Sequence, residues 1–148
     1  MATNRTLSVE DGNLQTPSLI TSRITKYQDI DLSFALRADK DVFRKTDAAA
    51  VKQAVKNLLL TGEVEKPFVQ NFGGGLGNIL FELVDEDAED EIEIRIRSAL
   101  ELYEPRAILE DLKVSLQPDR NSLQVRVIFR VANTMESVTL DTTLSRIR

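Results

Sequence analysis

Leu123-Gln124-Val125-Arg126-Val127-Ile128-Phe129-Arg130-Val131 alternates apolar residues with polar ones, broken only at Ile128. Side chains on a strand point to opposite faces in turn, so this pattern predicts a strand with one face in a core. Before it, Ile108 to Leu116 sets Leu112, Val114 and Leu116 on one face, and Pro118-Asp119-Arg120-Asn121 supplies turn residues between the two runs. After it, the link 132–137 is short enough for a second hairpin into Val138 to Leu144. The C-terminal third therefore reads as an antiparallel meander.

A three-stranded meander with one apolar face needs a covering layer, and the upstream chain offers helices for it. Ile92, Ile96, Ala99, Leu100 and Tyr103 recur at helical spacing, with acidic residues at the start to suit the helix dipole. Glu91-Arg95 and Glu93-Arg97 are favourable i,i+4 pairs. Pro105 ends this helix, because the residue before a proline is steered away from the α region, and Glu104 stands at that end. Further upstream Thr46 is placed as an N-cap for a helix whose stripe is Ala48, Val51, Val55, Leu58 and Leu59 and which Gly62 closes. Lys52, Gln53, Lys56 and Asn57 are read as its wet side. Leu32, Phe34 and Leu36 alternate like a half-buried strand, with a shorter strand near Val42 and Phe43. Phe72-Gly73-Gly74-Gly75 leads into a short helix at Leu76, Ile79, Leu80 and Phe81. The class is α+β: a small antiparallel sheet with a C-terminal meander, packed against two longer helices and one short one. Residues 1–28, polar with scattered apolar positions, are read as an N-terminal arm, a disordered terminus and an arm that orders on partners staying equally open, and 29–148 as the domain.

The chain has 148 residues, 42% of them hydrophobic, which is enough for one sizeable core. It has neither cysteine nor histidine. That excludes thiol nucleophiles, zinc fingers, histidine bases and serine–histidine–aspartate triads. With 24 acidic against 19 basic residues the net charge is −5. Nucleic-acid affinity comes mainly from cationic contacts to phosphates, so no nucleic-acid partner is expected. No apolar run is long enough for a membrane span, and the start has no apolar signal-like core, so synthesis without export is expected.

Several patterns invite chemistry and do not carry it. Gly73-Gly74-Gly75-Leu76-Gly77-Asn78 has neither G-x-G-x-x-G spacing nor a following Gly-Lys-Ser, so a tight turn against a neighbour is the better reading. Glu82 to Glu93 holds eight carboxylates in twelve positions, without the glycine that a calcium loop needs at its sharp turn, so a solvated helix start is the better reading. No metal or cofactor is expected. Paired carboxylates that cleave a glycoside are always available among 24 acids, so they say little. Tyr103-Glu104-Pro105-Arg106 is the most pointed cluster. Arg106 offers a planar fork at a constrained helix end and Glu104 an acceptor. On residues alone a partner-binding turn and a local ion pair stay equally open.

The order of pieces resembles the baseplate-wedge sheath-initiator family of contractile-tailed phages, which also supplies a baseplate subunit of type VI secretion systems. The pieces are Asp29-Ile30-Asp31-Leu32-Ser33-Phe34, Ala50 to Thr61, Gly62-Glu63 with Lys66-Pro67-Phe68, Asn71-Phe72-Gly73, Leu80-Phe81-Glu82, and Ala99-Leu100 with Tyr103-Glu104-Pro105-Arg106. The resemblance implies a non-enzymatic structural protein of the virion tail baseplate, assembled in the host cytoplasm. It implies that Glu104, Pro105 and Arg106 grip a helical core bundle of other wedge subunits. It further implies that a sheet edge pairs with strands of the tail sheath protein, assigned to Val138, Leu140, Thr142 and Leu144, with the tail tube or hub as a further neighbour. Some relatives bear a lysozyme label, so a peptidoglycan hydrolase using paired carboxylates is the alternative.

Overall fold

The computed structural model describes residues 26–62, 64–79, 88–117 and 121–145. In chain order these form β1 (Gln28–Ile30), β2 (Arg44–Thr46), α1 (Asp47–Leu60), α2 (Leu76–Ile79), α3 (Ala88–Tyr103), β3 (Ala107–Gln117), β4 (Ser122–Val131) and β5 (Ser137–Ser145). β1 and β2 make a two-stranded antiparallel ribbon, and β3-β4-β5 is the expected antiparallel meander with β4 in the middle.

β4 carries the core. Leu123, Val125, Val127, Phe129 and Val131 are each 0% exposed, and burying such side chains stabilises by about 1.5–3 kcal/mol apiece. Against this face α3 lays Ile92, Ile96, Ala99 and Leu100, and α1 lays Val51, Val55, Leu58 and Leu59. The result is two layers, helices over one sheet face. The other face is wet and holds ion pairs such as Arg126 Nε to Asp141 Oδ1 across β4 and β5, at 2.5 Å.

β3 contains a register shift between Leu109 and Asp111. The extra residue of this bulge, Glu110, lets Leu109 and Leu112, three apart, both face the core. Glu110 accepts a hydrogen bond from Ser137 Oγ at 2.8 Å and one from Arg130. Those two donors, Ser137 first, hold its carboxyl below the ordinary value.

Two expectations need correction. Leu32, Phe34 and Leu36 do not form a half-buried strand: they are 48%, 65% and 71% exposed, with only an isolated bridge from Leu36 to Val42. Turn chemistry wins over alternation here. Asp31 takes the Ser33 N–H on its side chain at 3.0 Å and the Phe34 N–H on its carbonyl at 3.1 Å, and Phe34 sits at φ 51°. The paired strands lie just outside this loop, at β1 and β2. Gln53, read as wet, is 9% exposed. Its amide donates to the Ile30 carbonyl at 2.8 Å and its oxygen accepts from Lys45 Nζ at 2.8 Å, which ties α1 to the β1–β2 ribbon.

Thr46 is the N-cap of α1, in an extended conformation, but its hydroxyl makes no capping bond. Asp47 ties this end down instead. Its carboxylate accepts from the Tyr27 N–H at 3.2 Å and from Asn133 Nδ2 at 2.7 Å, joining the chain before β1 to the β4–β5 link.

The glycines find their reason at the other end of α1. Gly74 N–H donates to the Leu58 carbonyl at 2.8 Å and Gly75 N–H to the Thr61 carbonyl at 3.1 Å, satisfying acceptors the helix leaves open. A Cβ on Gly73 would lie 2.3 Å from the Thr61 oxygen, and one on Gly74 3.1 Å from the Leu59 Cα. The run is a backbone-on-backbone cap, as a tight turn against a neighbour requires. Gly77 faces open space and nothing in the structure explains it. Leu80, Phe81, Glu82, Asp85, Glu86 and Asp87, the Pro118-Asp119-Arg120 turn and residues 1–25 lie outside the described residues.

Candidate functional site

The Glu104-Pro105-Arg106 turn joins the end of α3 to the start of β3. Glu104 N–H still donates to the Leu100 carbonyl at 2.9 Å, as the last helical bond. Its carbonyl accepts from the Ala107 N–H at 3.0 Å, closing a four-residue turn with Pro105 at the position where a fixed φ fits. The Arg106 carbonyl accepts from Ala132 N–H at 2.9 Å, bolting the turn to the far end of β4. Both flanking elements are core elements, so the turn is rigid.

Glu104 is 6% exposed. Its two carboxylate oxygens accept from Arg106 Nε at 2.6 Å and Nη2 at 2.7 Å, a bidentate fork. The Arg106 guanidinium lies 5.4 Å from the Tyr27 ring centroid, within cation–π range. The hydrogen bonds that Arg106 donates to Glu104, first, and the charge of that carboxylate hold Arg106 above its ordinary value. The fork uses two of the five N–H groups of an arginine, so three point elsewhere. The Arg106 side chain is 35% exposed and Pro105 is exposed. Beside the turn, Tyr103 meets Phe72 edge-on at 5.1 Å, and Lys66 Nζ stands 3.8 Å from the Phe72 centroid. The three expected residues are thus together. The ion pair exists, yet it is part-buried and presents a fixed cation at the surface rather than consuming it.

The second expected set lies on β5, an edge strand of the meander. Leu140 is 4% exposed, and Val138, Thr142 and Leu144 are half-buried. Val138, Leu140 and Leu144 pack with the core, so this row faces the helices. The exposed row is Thr139, Asp141, Thr143 and Ser145. A strand added at β5 would meet its backbone and the exposed row. The four residues that the resemblance assigns to the sheath edge are thus the inward row of β5.

One surface feature was missed. Ile30, Leu32, Phe34, Leu36 and Phe43, in and beside the β1–β2 loop, are 47–71% exposed. Singly such residues are ordinary, but five within fourteen positions make an apolar lobe of the kind that meets partners. The signal was present as apolar alternation and was attributed to the core.

The chain matches the family of the baseplate wedge protein gp25 over residues 45–136. It is 31% identical over 114 residues to the baseplate wedge protein gp25 of Enterobacteria phage T4, covering 76% of this chain and 85% of that protein. Among solved structures it is similar to a chain in the baseplate of the anti-feeding prophage, with TM-score 0.63, 25% identity and coverage of 73% and 87%. A protein of Geobacter sulfurreducens described as a tail lysozyme shares the fold at TM-score 0.57 and 22% identity, over 66% of this chain and 89% of that one. A chain of the postcontracted pyocin R2 baseplate shares it at TM-score 0.51 and 16% identity, over 81% and 99%.

Proposed function

The chain belongs to the family of the baseplate wedge protein gp25, and we propose that within a baseplate it anchors by the Glu104-Pro105-Arg106 turn and templates the first sheath ring at the β5 edge. It is a structural protein of the baseplate wedge of a contractile tail. One observation supports the anchoring role above others. A carboxylate 6% exposed spends both oxygens on holding Arg106 half-exposed, on a turn braced by the ends of α3 and β4. Such a preorganised fork loses little entropy when it meets helix-end carbonyls or a carboxylate of a wedge bundle.

The sheath role rests on β5. Its outer edge has no strand beside it among the described residues, and main-chain bonds to an added strand supply affinity while exposed side chains set register. The N-terminal arm that reaches these partners is then residues 1–25, because Tyr27 packs on the core and Gln28 opens β1. Assembly takes place in the host cytoplasm. The hydrolase alternative finds no support in the site: the one buried carboxylate among the described residues, Glu104, is locked to a guanidinium and suited neither to donating a proton nor to activating water.

The edge reading has a clean test because the chain has no cysteine. Leu140→Pro would remove a backbone donor from the strand but also disturb a core residue, so the exposed Thr143→Cys is preferred. Labelled with a photo-crosslinker and assembled into particles, it is expected to capture the sheath protein. Capture of wedge subunits alone would overturn sheath templating at β5.

A further inference from the structure

A cleft of about 530 Å³ lies between α1 and β5, a volume within the usual range for binding clefts. Its walls are the Asp31–Ser33 loop, the Lys52–Lys56 side of α1, and Leu140 with Asp141 of β5. Consecutive strand residues point to opposite faces. A cleft touched by both Leu140 and Asp141 therefore opens on the edge of β5, where a partner strand would lie.

Its charge is one-sided. Asp31 is paired with Lys45 at 3.2 Å, and Asp141 with Arg126 at 2.5 Å, so both acids of the rim are already neutralised. Lys52 and Lys56 are exposed, and among the described residues no carboxylate lies within ion-pair distance of either. They stand one helical turn apart, about 6 Å along the axis. Alternate side chains on a strand are spaced by about 6.7 Å. Leu32, 48% exposed, and Leu140 supply apolar contacts in the same cleft.

We propose that this cleft takes an extended acidic segment of a partner protein, with carboxylates at alternate positions against Lys52 and Lys56 and the intervening side chains on the opposite face of the added strand. The proposal rests on strand pairing at β5 and adds the chemistry of the strand. In a chain of net charge −5, two unpaired lysines beside an open sheet edge select for negative charge and reject a basic strand.

The test is an NMR titration of the full-length protein with two nine-residue peptides, one alternating Glu and Val and the other Lys and Val. Expected are shifts in the amides of Lys52 to Asn57 and of Leu140 and Asp141 with the Glu peptide, at least tenfold tighter than the Lys peptide. Lys52→Glu with Lys56→Glu should weaken the Glu peptide at least tenfold. If that double variant fails to fold, Lys52→Gln with Lys56→Gln provides the same comparison. Equal binding of the two peptides, no effect of the substitutions, or equal competition by single-stranded DNA would overturn the proposal. Loss of peptide selectivity with sheath capture by Thr143→Cys retained would sink only the acidic-segment proposal. Loss of that capture as well would sink the pairing it rests on.

Discussion

Arg106→Ala is expected to lower incorporation into the wedge by tenfold or more while the domain remains folded. The variant removes the presented cation and also leaves Glu104, 6% exposed, without the fork that satisfies both its oxygens. Losing charged hydrogen bonds at a buried group costs about 1–3 kcal/mol. Arg106→Lys separates the two effects. It keeps a charge beside Glu104 and so most of the stability, but a lysine cannot reproduce the planar fork, so incorporation should still fall. Lys113→Ala is the control, since it removes an exposed cation in the middle of β3, outside the turn. Quantifying the chain in purified particles, beside thermal unfolding of each isolated variant, reads both quantities. Normal incorporation of Arg106→Ala would remove the turn from the anchoring site.

Gly73→Ala is expected to be the most destabilising small substitution in the described chain. Gly73 has φ +123°, which side chains rarely adopt, and a Cβ would stand 2.3 Å from the backbone oxygen of Thr61. Neither atom is the free end of a side chain, so relief requires pulling the loop from the end of α1. That would break the bonds from Gly74 to Leu58 and from Gly75 to Thr61. Backbone strain of this kind costs about 1–3 kcal/mol, and the displaced cap adds about 1 kcal/mol for each exposed bond. A drop in melting temperature of roughly 10 °C follows for a domain of this size. Gly77→Ala, with nothing within 4 Å of the added Cβ, should be neutral or slightly stabilising, because alanine restricts the unfolded chain. Equal stability of Gly73→Ala and Gly77→Ala would show that the cap is dispensable.

The meander and the two longer helices were legible because their periods agree with their burial. Every second residue from Leu123 to Val131 is fully buried, and Ile92, Ile96, Ala99 and Leu100 form the inner stripe of α3. Where a second interaction competes, the pattern misled. Leu32, Phe34 and Leu36 alternate like core residues, yet the Asp31 side chain and carbonyl turn the chain out of line and leave them in solvent. Gln53 falls on the polar side of α1 by type, yet the Ile30 carbonyl and Lys45 bury it. The bulge at Glu110 was visible as a three-residue step from Leu109 to Leu112, a signal that alternation alone passes over. For the Glu104-Pro105-Arg106 turn, the residue types and the helix end are legible without the fold. Only the fold shows that the carboxylate is buried and the cation is held outward, because that depends on the Ala132 and Tyr27 contacts from distant parts of the chain.

The most direct measurement of the anchoring and templating roles is cryo-electron microscopy of the native tail particle. This chain is expected in every wedge, with Arg106 and Pro105 against a helical bundle and a sheath strand beside β5 in the cleft of Lys52 and Lys56. Density for the chain with Arg106 facing solvent and the β5 edge unpaired would contradict both roles.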